Sequence, residues 1–265
     1  FDTPLQKAGG ENNAYTTNDV TNYYMTLPIE NIETGFWLES DRMLQLDFSQ
    51  ESLDVQKQVV IEEFKQRYLN QPYGDVWLHL RPLAYQSHPY KWPTIGKDIQ
   101  HIEDATLDDV KAFFGSYYHP GNAILSVAGD FEINKMKGLV EKWFGTIPKR
   151  SKLTRNLPGE PAQLKERRMT LERKVPANAI YKVYHMGKRT DNSYAAADLV
   201  SDILGRSESS RLYQSLVKNQ PLFSEINAYV TGDFDEGLMV ISGKLHQGIE
   251  FEKAEAALEE QIFNL

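Results

Sequence analysis

Apolar and polar positions along this chain alternate between two periods. After GG and a polar turn, AYTTNDVTNYYMTLP is rich in Tyr and Thr and predicts two short strands or a hairpin. From Pro28 the spacing lengthens: Ile29, Ile32, Phe36, Trp37 and Met43 recur as on one helix. A second helix is predicted over roughly residues 50 to 69, closed by Asn70, Pro72 and Gly74. VWLHLRPLAY fits a helix, and HPYKWPTIGK a loop. Thr106 three residues before Asp109 predicts an N-cap, with LDDVKAFFGSYY as its helix. NAILSVAGDF alternates like a strand, and INKMKGLVEKWFGTIP is an amphipathic helix. Trp37, Phe113, Phe114 and Trp143 are expected in the core.

Residues 151–164 are polar, basic and interrupted by prolines, which marks a linker. Beyond it the mixture repeats. RRMTLERKV and AIYKVYHMG predict strands, SYAAADLVSDILG and SSRLYQSLVKN helices, the latter with Ser at its cap. INAYVTGDFDEGLMVISGKL predicts a hairpin and FEKAEAALEEQIFNL a final helix. Helices mixed with hairpin-like strands favour α+β over a doubly wound parallel sheet. The expected organisation is one domain over 1–150, the linker over 151–164, and a second, loosely similar unit over 165–265.

One helix carries the candidate chemistry. In QVVIEEFKQRYLN, at about 100° per residue, Leu53, Val59, Val60 and Phe64 form one stripe expected to face a core. Glu62 lies at its edge. Glu63 lies inside it, and Gln56, one heptad earlier, falls on almost the same line. A carboxylate taken out of water costs several kcal/mol unless it is compensated. The partner could be a cation of the protein, such as Arg67 one turn on, or a metal ion.

Composition narrows the field. The 265 residues carry a formal net charge of −8 without a long basic run, which argues against a nucleic-acid surface. With no cysteine there is neither a disulfide nor a thiolate ligand; such a chain suits periplasm and cytoplasm alike, and its compartment stays unknown. No apolar run approaches the roughly 20 residues that span a bilayer. The opening FDTPLQKAGG and the closing EEQIFNL lead us to expect a piece of a longer protein. His88 and His119 each precede proline in a loop, where a structural role is expected rather than metal binding.

The order of these segments resembles a known family. GGENNAYTTNDVTNYYMTLP, WLESDRM, VVIEEFKQRYLNQPYG, HPYKWPTIG, FFGSYYHPGNAILSVAGDF, WFGTIP and LGRSESSRLYQSLVKN follow one another as in the pitrilysin/insulinase zinc metallopeptidases. The resemblance covers nearly the whole chain. It implies the pitrilysin-like fold: two related units, each an antiparallel-rich sheet with helices on one face. It implies a zinc-dependent endopeptidase acting on peptides or unfolded segments through a metal-activated water. Family members hold zinc with an H-x-x-E-H helix, whose Glu is the general base, and a Glu on a later helix. That last ligand position matches Glu63. A supporting Glu seven residues earlier is Gln56 here, an amide without charge. Asn13, Ala14 and Tyr15 match the family's substrate-side edge strand, where an extended peptide can be added.

None of the six histidines forms H-x-x-E-H. In the family that motif precedes the GG segment, so catalytic residues are expected upstream of Phe1, and zinc in the intact protein rather than in this piece. The Arg/Tyr pair of the family's zinc-free half matches Val217 and Ser224, which cannot do that work. A second half or subunit is therefore the expected partner. A non-catalytic family subunit or scaffold, and a peptide-binding module using the Asn13–Tyr15 strand, are the alternatives.

Overall fold

A computed structural model describes residues 1–151 and 153–265. It contains two compact units: residues 1–66 with 94–157, and residues 67–93 with 158–265. The segment 67–93 thus packs with the later unit, although it lies within the stretch expected to be the first domain.

The first unit opens with α1 (Asp2–Lys7) and a hairpin, β1 (Glu11–Thr16) and β2 (Thr21–Thr26), pairing Asn13 with Tyr24 and Tyr15 with Asn22. α2 (Ile32–Leu44) and α3 (Gln50–Phe64) follow, and α3 continues through a π-helical turn, Lys65–Leu69, that reaches the boundary of the unit. The second unit begins with α4 (Val76–Ala84). The chain then returns to the first unit for α5 (Ile99–Asp104), α6 (Leu107–Tyr117) and α7 (Ile133–Phe144). Local chemistry sets the helix starts. Ser49 Oγ accepts from Ser52 N at 3.1 Å, and Asp98 caps the His101 N–H. Thr106 and Asp109 form a reciprocal capping box. Phe36 meets Phe144 edge to face at 6.2 Å, and Trp143 Nε1 donates to Glu33, joining α2 to α7.

The second unit carries a three-stranded antiparallel sheet in the order β3–β5–β4, with β3 Ala179–His185, β4 Phe223–Val230 and β5 Leu238–Leu245. α8 (Asn192–Gly205), a π-helical segment Tyr213–Asn219 and α9 (Phe251–Phe263) complete it. Leu204, Leu212, Leu216, Phe223, Ile241, Leu245 and Leu258 form its core. A Cβ on Gly205 would lie 2.7 Å from the Asn227 carbonyl carbon and closer still to Ala228 N, so glycine lets α8 pack directly on β4. At the Tyr73–Gly74 turn Tyr73 has φ 62°, an unusual value for a tyrosine. Its hydroxyl donates to Ala177 O at 2.7 Å and accepts from Ala177 N at 3.1 Å, which fastens the turn.

The mixed α/β architecture with small antiparallel sheets agrees with expectation. Several local readings do not. NAILSVAGDF and RRMTLERKV form no strand among the described residues, and Ile124 is 98% exposed. Alternation makes a segment fit for a ladder but does not provide its neighbour. Trp37 and Phe113 lie on the surface, at 41% and 56% exposed, while Phe36 and Leu38 are buried. Ser210 does not cap its helix: its buried Oγ has no hydrogen-bond partner among the described residues.

Candidate metal-ligand helix and peptide edge

α3 turns a different face inward from the one its sequence suggests. Ile61 and Phe64 are buried and Leu53 and Val60 half-buried, whereas Val59 is 55% and Val55 56% exposed. Packing selects the stripe 53–57–60–61–64 and leaves Val59 outside it. Glu63 lies about 100° from the centre of that stripe and is exposed, as is Gln56. The expected removal of Glu63 from water is therefore corrected: in this chain its carboxylate does not face the core. Gln56 and Glu63 still share one face two turns apart, beside the uncovered Val59. Their neighbour Glu62 pairs with Lys65 at 2.7 Å.

The hairpin is held from one side. The Arg42 guanidinium lies 3.9 Å from the centre of the Tyr23 ring and also pairs with Glu39, and the Tyr23 hydroxyl meets that of Tyr118. Partial burial together with the Tyr23 hydrogen bond raises the Tyr118 pKa. All of β1 is exposed, Asn13, Ala14 and Tyr15 included, and among the described residues it pairs with β2 alone. The closing bond from Thr17 N to Val20 O puts odd-numbered β1 residues in hydrogen-bonded pairs. Ala14 accordingly turns its N–H to the free edge, where Asn13 Oδ1 accepts it at 2.8 Å.

His88 and His119 serve local structure. His88 Nδ1 accepts from Tyr90 N at 3.2 Å and His119 Nδ1 from Gly121 N at 3.1 Å; each caps a turn opened by the following proline. His88 Nε2 faces Asp235 at 3.1 Å, and His185 Nε2 lies 3.1 Å from Ala84 O. Among the described residues no group of three or more His, Cys, Asp or Glu side chains could hold a metal. A hydrolytic zinc site takes three protein ligands. The described residues bring no such set together, so they do not fit a zinc centre by themselves. Val217 packs on the core of the second unit, and Ser224 Oγ donates to Lys244 O at 3.2 Å. Among the described residues no helix is long and apolar enough to cross a membrane.

Sequence reasoning missed Glu160 and Arg167. Glu160 accepts from Gln86 N, Ser87 N and His88 N at 2.8, 2.9 and 3.0 Å. Arg167 Nη1 donates to Leu83 O and Ala84 O at 2.9 and 3.0 Å. The only signal was a lone acid between two prolines, in a stretch whose composition reads as linker.

The fold is mixed, with an exposed edge hairpin, and the comparisons give the family. Residues 1–98 match Insulinase (Peptidase family M16), and residues 104–265 match the Peptidase M16 inactive domain. The chain belongs to the M16 family of insulinase/pitrilysin zinc metallopeptidases. A Helicobacter pylori protein named zinc protease PqqE is 30% identical over 228 residues, 85% of this chain and 51% of that protein. The Bacillus subtilis uncharacterized zinc protease YmxG is 26% identical over 244 residues, 90% of this chain and 57% of that protein. The crystal structure of a protease from Helicobacter pylori superposes with a TM-score of 0.92 at 27% identity, covering 99% of this chain and 64% of that one. The chain spans about half the length of the curated relatives it matches.

Proposed function

We propose that this chain is part of a zinc-dependent endopeptidase that cleaves peptides or unfolded protein segments. The observation that carries this reading is that the two M16 descriptions together match nearly the whole chain, with Glu63 inside the insulinase part. Residues 1–150 are read as part of the zinc-bearing domain, and 165–265 as part of its structural relative. In the intact protein Glu63 is one zinc ligand and Gln56 supports it by hydrogen bonding rather than charge. The rest of the metal site, with the catalytic base, comes from residues other than those described. The edge of β1 at Asn13, Ala14 and Tyr15 takes the substrate as an added strand. A second, zinc-free half or subunit supplies the Arg and Tyr that Val217 and Ser224 lack.

Cleavage of a quenched peptide by the full-length protein tests this. Activity should vanish with a chelator, return with zinc, and be lost in Glu63→Gln. Unchanged cleavage in that variant would reject Glu63 as the ligand. A second reading, a non-catalytic family subunit, draws support from the inactive-domain match over 104–265. It predicts no cleavage by the full-length protein alone, with or without zinc.

A further inference from the structure

The stretch that reads as a linker contributes an acid, and the residues just beyond it a base, placed on opposite kinds of backbone group. Glu160 receives three successive N–H groups, from Gln86 to one carboxylate oxygen and from Ser87 and His88 to the other. Seven residues on, Arg167 binds the two carbonyls at the end of α4, Leu83 and Ala84. Helix ends leave such carbonyls without intrahelical partners, and consecutive N–H groups in a turn make a concave site for an anion.

The loop is fixed from its other side by different bonds. Tyr85 Oη donates to Glu236 O at 2.9 Å, Tyr90 Oη accepts from Asp235 N at 3.0 Å, and His88 faces Asp235. Tyr85, Tyr90 and Ala84 are buried against Leu238 and Val240. Partial burial raises the Glu160 pKa, but the N–H bonds from His88, Gln86 and Ser87 outweigh it and leave the carboxyl below its usual range. Pro158 and Pro161 flank the site, so φ is preset on both sides of Glu160.

We propose that Gln86–His88 is a carboxylate-binding nest whose ligand is the chain's own Glu160, and that residues 160–167 are a charge-matched strap holding the segment 67–93 in the second unit. The strap keeps the buried Tyr85–Tyr90 loop in register. A free carboxylate of the same chemistry should therefore substitute for Glu160 once the side chain is removed.

Amide hydrogen exchange on the 265-residue chain tests this at the loop itself. In Glu160→Ala the amides of Gln86, Ser87 and His88 should exchange at least about tenfold faster, as expected for losing bonds to a charged acceptor. Added sodium acetate should restore their protection in a saturable manner, and sodium chloride at equal ionic strength should not. Glu160→Gln retains the volume and blocks the nest, so it should exchange faster than wild type and show no acetate rescue; it also serves if the alanine variant does not fold. Equal exchange in wild type and Glu160→Gln would overturn the proposal, as would acetate and chloride acting alike on a folded Glu160→Ala.

Discussion

Single residues decide much of this molecule, and Gly205 is the plainest case. Its missing Cβ lets α8 rest on the β4 backbone, so Gly205→Ala should destabilise the fold by about 3 kcal/mol. Gly138 lies inside α7 with nothing within 4 Å of a Cβ, and Gly138→Ala should stabilise by about 0.5–1 kcal/mol. Urea denaturation of the two variants checks both signs. Ala14 carries the corresponding functional prediction. Its N–H faces the free edge, so proline there removes an outward donor and leaves the β2 ladder intact. In the intact protein Ala14→Pro should raise KM for an extended peptide by about tenfold, the cost of one lost hydrogen bond. An unchanged KM would remove β1 from the substrate site. Residue-scale reading of the sequence had mixed success for a physical reason. The structural role of His88 and His119 and the Thr106 N-cap are local and were legible; the imidazole caps and the reciprocal box emerge only in the structure. The orientation of Glu63 depends on which face of α3 meets its neighbours, and the wheel alone chose the stripe containing Val59.

At the scale of elements, the hairpin at 11–26, the helices from Ile32 to Leu69 and the β4–β5 pairing follow from periodicity and turn chemistry, which act within a few residues. Ladders between distant segments do not, and NAILSVAGDF lacks one among the described residues. Long-range charge pairs are equally invisible in sequence. Arg168 forks onto both Glu255 oxygens at 2.7 and 2.8 Å, and Lys182 of β3 reaches Glu255 at 2.8 Å, joining the strap's continuation and the sheet to α9. The hydrogen bonds from Arg168 and Lys182 pull the Glu255 pKa down to about 2. The folded pKa lies below the ordinary value of about 4.3, so this pairing stabilises the fold above that pH. The contribution is lost as pH falls from about 4.3 towards 2. Arg168→Ala should raise the Glu255 pKa and flatten that part of the acid-unfolding profile. NMR titration of the Glu255 carboxyl measures it, and a pKa unchanged in the variant would show that the guanidinium is not its cause.

On the scale of the whole molecule, the family was legible because the ordered motifs extend over nearly the entire chain, and the comparisons place it in M16. The division into units was less legible: a helix-forming segment, 67–93, joins the unit that follows it through side chains far away in sequence, among them Glu160, Arg167 and Arg173. The central claim is that the exposed carboxylate of α3 completes a zinc site in the intact protein. Gln56→Ala should weaken zinc binding by about 10–100-fold, as loss of an outer supporting partner does, and Glu63→Gln should weaken it further. The most direct measurement is zinc content by elemental analysis of purified full-length protein, wild type against Glu63→Gln. The account predicts one zinc per chain in wild type and a large loss in the variant; full zinc occupancy with Gln at position 63 would contradict it.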